Sequence, residues 1–345
     1  MSAKRSRAKA STKPASTTPR WLWGVVVGLG VALVGLVIGW GASNATFPFL
    51  PGTATPRSVG GVNGCRRLPG FVVTQGFDSR TAALSTSDDR RMGLLLIQPD
   101  EFGGQKVYQH PTWDDAGWLG GLALDERGHV YVVPAPRISM YDNPPQDQTK
   151  LYRVDTNSGE MALLMDLPAF QPPSQTNPFG LMGLTYDCET QSLYVSSIAG
   201  SSRTAEVGRL FRIDLSGNTP ALADQLEKVD AIGLGVFNGS RDKRLYFGSA
   251  RTSEIFSVAL DAQGNFSGGP RLDFSLAPYD PRGDDKARRL TFSDGALLRV
   301  DALKFNFNLV ATSEHLQNQY LFSYDANTDK WLFIEMKPVL KGGNS

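Results

Sequence analysis

At 345 residues, with 41% hydrophobic and 10% aromatic side chains, the chain is too long for one average domain and too apolar for a disordered protein. Its 35 basic and 34 acidic residues nearly cancel. Six of the basic ones (Lys4, Arg5, Arg7, Lys9, Lys13, Arg20) fall in the first twenty residues without an acid, and the net negative remainder argues against a nucleic-acid-binding globular part. Two cysteines and three histidines exclude a disulfide-dense scaffold and any zinc or iron–sulfur site built from Cys and His.

Residues 1–20 form a basic tail, and 21–40 read WLWGVVVGLGVALVGLVIGW, a charge-free run long enough to span a bilayer as a helix. Trp21, Trp23 and Trp40 mark its ends as an interfacial belt, and the positive-inside rule keeps the tail cytoplasmic and places everything beyond Trp40 outside. A cleaved signal peptide, with small residues at Ser43 and Ala45, is the competing reading. Gly24, Gly28, Ala32, Gly35 and Gly39 lie on one face of that helix, a stripe that permits a homodimer and is equally ordinary for a membrane helix.

Residues 41–70 shift to Gly, Pro, Ser, Thr and Asn and read as a linker. Cys65 closes it, and Cys188 lies in TYDCETQSLYV; in an oxidising compartment the two could pair, pinning the linker to the domain, or both could stay as thiols.

From Phe71 to about 338 a loose repeat takes over. GLALDERGHVYVV (121–133), GLTYDCETQSLYVSS (183–197), GLGVFNGSRDKRLYFGSA (233–250) and ALKFNFNLVATS (302–313) each read as strand, polar turn, strand. A third strand ending in an Asp-turn follows in KLYRVDTNSGE, GRLFRIDLSGN, EIFSVALDAQGN and QYLFSYDANTDK. Such four-stranded units spell a β-propeller. A weaker early unit, TAALSTSDDRRMGLLLIQP with QKVYQHP, makes a fifth blade, and strands within 288–299 make a sixth. The expected fold is therefore all-β, a six-bladed propeller after one transmembrane helix. Either FVVTQGF or WLFIEM would complete a blade begun at the other end, leaving 339–345 as a tail.

The phrase VALDAQGNFSGGPRLDF (258–274) resembles the six-bladed propellers of the gluconolactonase and senescence-marker-protein family and, more loosely, NHL-type propellers. The resemblance covers roughly residues 118–336. It implies a central divalent metal, usually calcium, held by a Glu in an EGP-like motif, by Asn at inner-strand starts and by an Asp in a PDG-like motif, where it would activate a lactone and water. No EGP occurs here, the inner strands start Gly120-Gly121, Met182-Gly183 and Ile232-Gly233, and only Asp301 in VDALKF falls at a matching place.

Asp301, Asp230 and Asp115 each stand shortly before an expected inner strand, where carboxylates could converge on a cation or serve as separate turn residues. GxSxG, HExxH and P-loop motifs are absent, and His110, His129 and His315 sit in turn-like contexts. Two proline-rich loops, 133–148 and 167–180, share one face; with Trp113 they offer Tyr141, Phe170 and Phe179 as a recognition surface. Asn44, Asn238 and Asn265 begin N-x-[ST] sequons.

The sequence points first to a membrane-anchored, extracytoplasmic binding or scaffold module without a cofactor. Its partner would be a protein or small ligand, and nucleic acid is excluded. The alternative is a divergent hydrolase of lactones or esters dependent on calcium or another divalent cation.

Overall fold

The computed structural model describes residues 58–86, 91–138, 140–293, 296–309 and 317–339. The basic tail, the apolar run with its small-residue stripe, most of the linker, Asn44, His315 and the last residues lie outside them. Among the described residues no helix is long and apolar enough to cross a membrane.

The chain is a β-propeller, and the described strands form five blades. The first holds β2 (Ala83–Ser85), β3 (Leu95–Pro99) and β4 (Gln105–Tyr108), after a short β1 (Gly60–Gly61). The second holds β5 (Leu119–Leu124), β6 (Val130–Pro134), β7 (Lys150–Val154) and β8 (Met161–Asp166); the third holds β9 (Leu181–Asp187), β10 (Ser192–Ser197), β11 (Arg209–Asp214) and β12 (Ala221–Glu227). The fourth comprises β13 (Ala231–Asn238), β14 (Lys243–Ser249), β15 (Glu254–Leu260) and β16 (Phe266–Ser275). The fifth comprises β17 (Asp285–Ser293), β18 (Leu297–Lys304), β19 (Gln317–Asp325) and β20 (Lys330–Val339). Every neighbouring pair is antiparallel, so connections between blades and between second and third strands share one face, here the upper one.

Among the described residues the expected sixth blade is not formed. Residues 285–293 and 297–304 pair with each other as the first two strands of the fifth blade, so the strands read as a separate unit around Arg288–Arg299 belong with the unit read at 302–313. The two ring-closing expectations fail as well. FVVTQGF starts as the one-turn helix α1 (Phe71–Thr74), and WLFIEM lies in β20, paired with β19 of its own blade. In the first blade β4 leads into the next blade as β8, β12 and β16 do, so β2 takes the second position. No described strand fills the innermost place there.

Apolar alternation builds the core between blades. Phe71, Leu94, Leu96, Trp113, Val130, Val132 and Val154 pack between the first two; Tyr131, Val133, Leu193, Val195 and Phe211 join the second to the third. Leu234, Val236, Leu245 and Val258 serve the third and fourth, and Phe237, Tyr246, Phe292, Tyr320, Phe322 and Trp331 the fourth and fifth. Second strands in the middle of the stack are buried on both faces, as β6, β10 and β14 show at every residue. Strand β18 alternates instead, which leaves the far face of the fifth blade partly in water.

Aspartates fix the lower turns by accepting backbone N–H groups two or more residues on: Asp155 from Asn157 and Ser158, Asp214 from Ser216, Asp261 from Gln263 and Asn265, Asp325 from Asn327. The Ser158 N–H holds the Asp155 carboxyl below the ordinary range, and the Ser216 hydroxyl does the same for Asp214.

Residues 58–77 cross the lower face as a strap. Strand β1 adds to the axial edge of β13, pairing Gly60 with Asn238 and Gly61 with Phe237. Cys188 N then donates to Val62 O at 3.0 Å, and Cys65 and Cys188 are joined by a disulfide with Cα atoms 5.8 Å apart. Arg67 N reaches Asp125 O in the second blade, Phe71 N reaches Thr156 O, and α1 buries Phe71 and Val72 against the first blade. The final stretch of the segment read as linker is therefore part of the propeller, which it ties from the fourth blade to the first.

Candidate functional site

The strap occupies the lower end of the axis, so the upper face is the side to search for a site. The long connections gather there: 109–118, 135–149, 167–180, 198–208, 276–284 and the described part of the connection after β18.

Along the axis the inner strands meet backbone to backbone. A Cβ on Gly121 would lie 3.1 Å from Met182 O, one on Gly183 would lie 3.0 Å from Ile232 O, and one on Gly233 would lie 2.7 Å from Ala287 O. Glycine thus stands where the resembled family carries metal-binding Asn because the next strand fills the space a side chain would need. These positions supply no ligand, and the donor set of a family-type calcium site does not fit.

The three sequence-nominated carboxylates are not brought together. Asp115 is exposed in the connection before β5. Asp230 is fully buried: its Oδ1 accepts from Gly208 N at 2.9 Å and from the Ser201 hydroxyl, and its Oδ2 pairs with Arg251 at 3.1 Å. Arg251 also donates to the carbonyls of Ser202, Ala205 and Arg203, so the pair anchors the 198–208 connection. Asp301 lies mid-strand in β18, not before an inner strand, accepting from Gln319 Nε2 at 3.0 Å and facing Arg299 at 3.7 Å. Among the described residues the one acidic group with metal-like spacing is Asp280, Asp284 and Asp285. Arg282 and Lys304 pair with it, and Asn318 and Tyr320 donate to Asp285.

The four aromatic candidates separate into two kinds. Trp113 is fully buried and donates its indole N–H to Gly159 O at 2.7 Å, which makes it core and removes it from any recognition surface. Phe179, only 3% exposed, packs edge-on against Phe305 and Phe307 from the connection after β18. Tyr141 and Phe170 stand in solvent at 92% and 62% exposure, with Ile138 beside Tyr141 in sequence at 60%.

Phe305 and Phe307 reach over the third and fourth blades, where Met182, Ile198, Ile232 and Ala250 receive them. Asn306 O accepts from Arg203 Nε, and with Arg251 and Thr252 these residues line a shallow cleft of about 330 Å³. The cations of this cleft are already bonded to protein, so it offers shape and hydroxyls more than free charge.

His110 and His129 are turn residues: the first contacts Thr112 Oγ1, and the second accepts from Thr156 N on the lower face. Asn238, 2% exposed and donating to Glu189, is closed to glycosylation where it stands.

The register of the inner strand slips at Gly120-Gly121, at Met182-Gly183 and at Ile232, and in the fifth blade the slip falls on Arg288, followed by Arg289. Both arginines are solvent-accessible. The signal was present: three inner strands carry glycine at this point and the fourth carries a charged pair.

No family model matches the chain, and no curated protein matches it. Among solved structures the chain is distantly similar to a protein from Lactobacillus plantarum, at 12% identity and TM-score 0.45 over 76% of this chain and 68% of that one. A protein from Bacteroides uniformis described as a candidate 6-phosphogluconolactonase is 13% identical with TM-score 0.39, over 75% of this chain and 82% of its own. Hydrazine synthase of Kuenenia stuttgartiensis follows at 12% and 0.39, over 81% and 68%. Likenesses this distant assign the chain neither a family nor an activity.

Proposed function

We propose that the chain is a membrane-anchored, extracytoplasmic β-propeller that binds its partner or ligand through the upper face. The carrying observation is the asymmetry of the two faces. The strap and short Asp-turns occupy the lower one, where Val73 and Phe102 stand exposed singly, whereas the upper one presents the long connections, with Ile138, Tyr141 and Phe170 held in water on proline-stiffened frames. The Cys65–Cys188 bridge supports an oxidising compartment, in agreement with the apolar run at 21–40 and its basic flank. The hydrolase alternative draws no support from Asp115, Asp230 and Asp301, which stand in three separate places of the fold.

The test is the pair Tyr141→Ser with Phe170→Ser in the full chain. Both side chains are exposed, so stability should stay within about 0.5 kcal/mol of wild type. Chemically crosslinked adducts recovered from membranes should fall about tenfold or more, the effect of losing one aromatic anchor. Undiminished adducts would contradict the reading.

A further inference from the structure

We propose that Arg288 and Arg289, on the innermost strand of the fifth blade, form a binding site for a small multivalent oxyanion that enters from the upper face. The proposal rests on the reading of that face as the ligand side and adds the chemical class of what it holds.

Arg288 occupies a β-bulge at the upper end of β17, where a bulge turns a side chain out of the regular alternation. The equivalent residues Met182 and Ile232 enter the apolar cluster beneath Phe305 and Phe307. Arg288 does not; its side chain is solvent-accessible although protein surrounds it closely enough for desolvation to lower its pKa. Among the described residues no carboxylate lies within ion-pair distance of Arg288, and the charges it feels are those of Arg289 and Arg137, both repulsive. Arg137 approaches from the second blade, stacked 4.4 Å over the ring of Trp118.

The far face of the fifth blade extends the same chemistry. Arg289, Asp301 and Gln319 lie opposite one another across three strands, and Thr291, Arg299 and Leu321 form the next row. One carboxylate, Asp301, therefore stands among Arg288, Arg289 and Arg299, and it is already engaged by Arg299 and Gln319. Arg288 and Arg289, adjacent on an exposed strand with Arg299 in the next row and one carboxylate already engaged, favour a planar or tetrahedral oxyanion that can take several N–H donors at once. A monovalent halide satisfies neither the charge nor the fork geometry.

The test is calorimetric titration of the full chain, purified in detergent at low ionic strength, with inorganic phosphate and with citrate as the two probes. Binding of at least one probe is expected, weakened about tenfold or more by Arg288→Ala and by Arg289→Gln, as loss of a charge-assisted bond implies. It should be unchanged in Arg80→Ala, a surface arginine of the lower connection before β2, and the preferred probe tells phosphoryl from carboxylate chemistry. Heat from neither probe, or Arg288→Ala titrating as wild type does, would overturn the site. If the upper-face adducts persist while both titrations are flat, the anion site alone falls and the reading of the face stands.

Discussion

Replacing Cys65 and Cys188 together by serine is expected to cost roughly 4 kcal/mol of unfolding free energy. The bridge closes a loop across 123 residues, from the strap to the third blade, so in the unfolded chain it removes a large share of conformational freedom. It also has a local role. Cys188 N donates to Val62 O beside it, β1 adds only two residue pairs to β13, and so little pairing cannot hold a strap without help. Guanidinium denaturation of the variant, and of the wild type under reductant, should give the same lowered midpoint. The strap amides from Gly60 to Val62 should exchange faster than those of β13. A midpoint within the equivalent of about 1 kcal/mol of the oxidised protein would contradict this account of the strap.

The second large effect is expected from Asp230→Ala, at about 3 to 5 kcal/mol, because the change leaves a partly buried arginine without its carboxylate. Asp230 is wholly buried and Arg251 is 24% exposed, so the pair keeps most of its strength against solvent screening. Removing the carboxylate also orphans Gly208 N and the Ser201 hydroxyl, both of which point at Oδ1. Asp230→Asn should cost less, since an amide oxygen still accepts from one of them. The double variant Asp230→Ala with Arg251→Met should recover part of the loss by removing the uncompensated cation. Thermal melts of these proteins and of Arg251→Met alone decide it; an additive double variant would show that the two residues do not act as a pair.

The repeat was legible in the sequence because each blade needs the same grammar, two strands alternating around a polar turn and a third ending on Asp155, Asp214, Asp261 or Asp325. The blade count was not. Strand β17 and strand β18 belong to one sheet, but β17 begins DKARRL without the glycine that marks β5, β9 and β13, so it read as the start of something separate. Asp301 was misplaced for the same reason: with the inner strand assigned one strand too late, a mid-strand residue looked like a turn residue. FVVTQGF alternates well enough for a strand, yet Gly70 and Gly76 border only one helical turn, and its apolar residues were claimed by the core near Trp113. Tyr141 and Phe170 were visible as exposed aromatics because prolines surround them. Trp113 was not recognisable as core, since its indole partner, Gly159 O, is 46 residues away in sequence.

The central claim is that the upper face alone engages a partner or ligand, and a photocrosslinking amino acid placed at single positions of the full chain in membranes tests it most directly. Tyr141 and Phe170 probe the upper face; Phe102 and Val73, 95% and 64% exposed, probe the lower one with comparable accessibility. Adducts are expected from Tyr141 and Phe170 and not from Phe102 or Val73. Equal adducts from both faces, or adducts from the lower positions alone, would contradict the account.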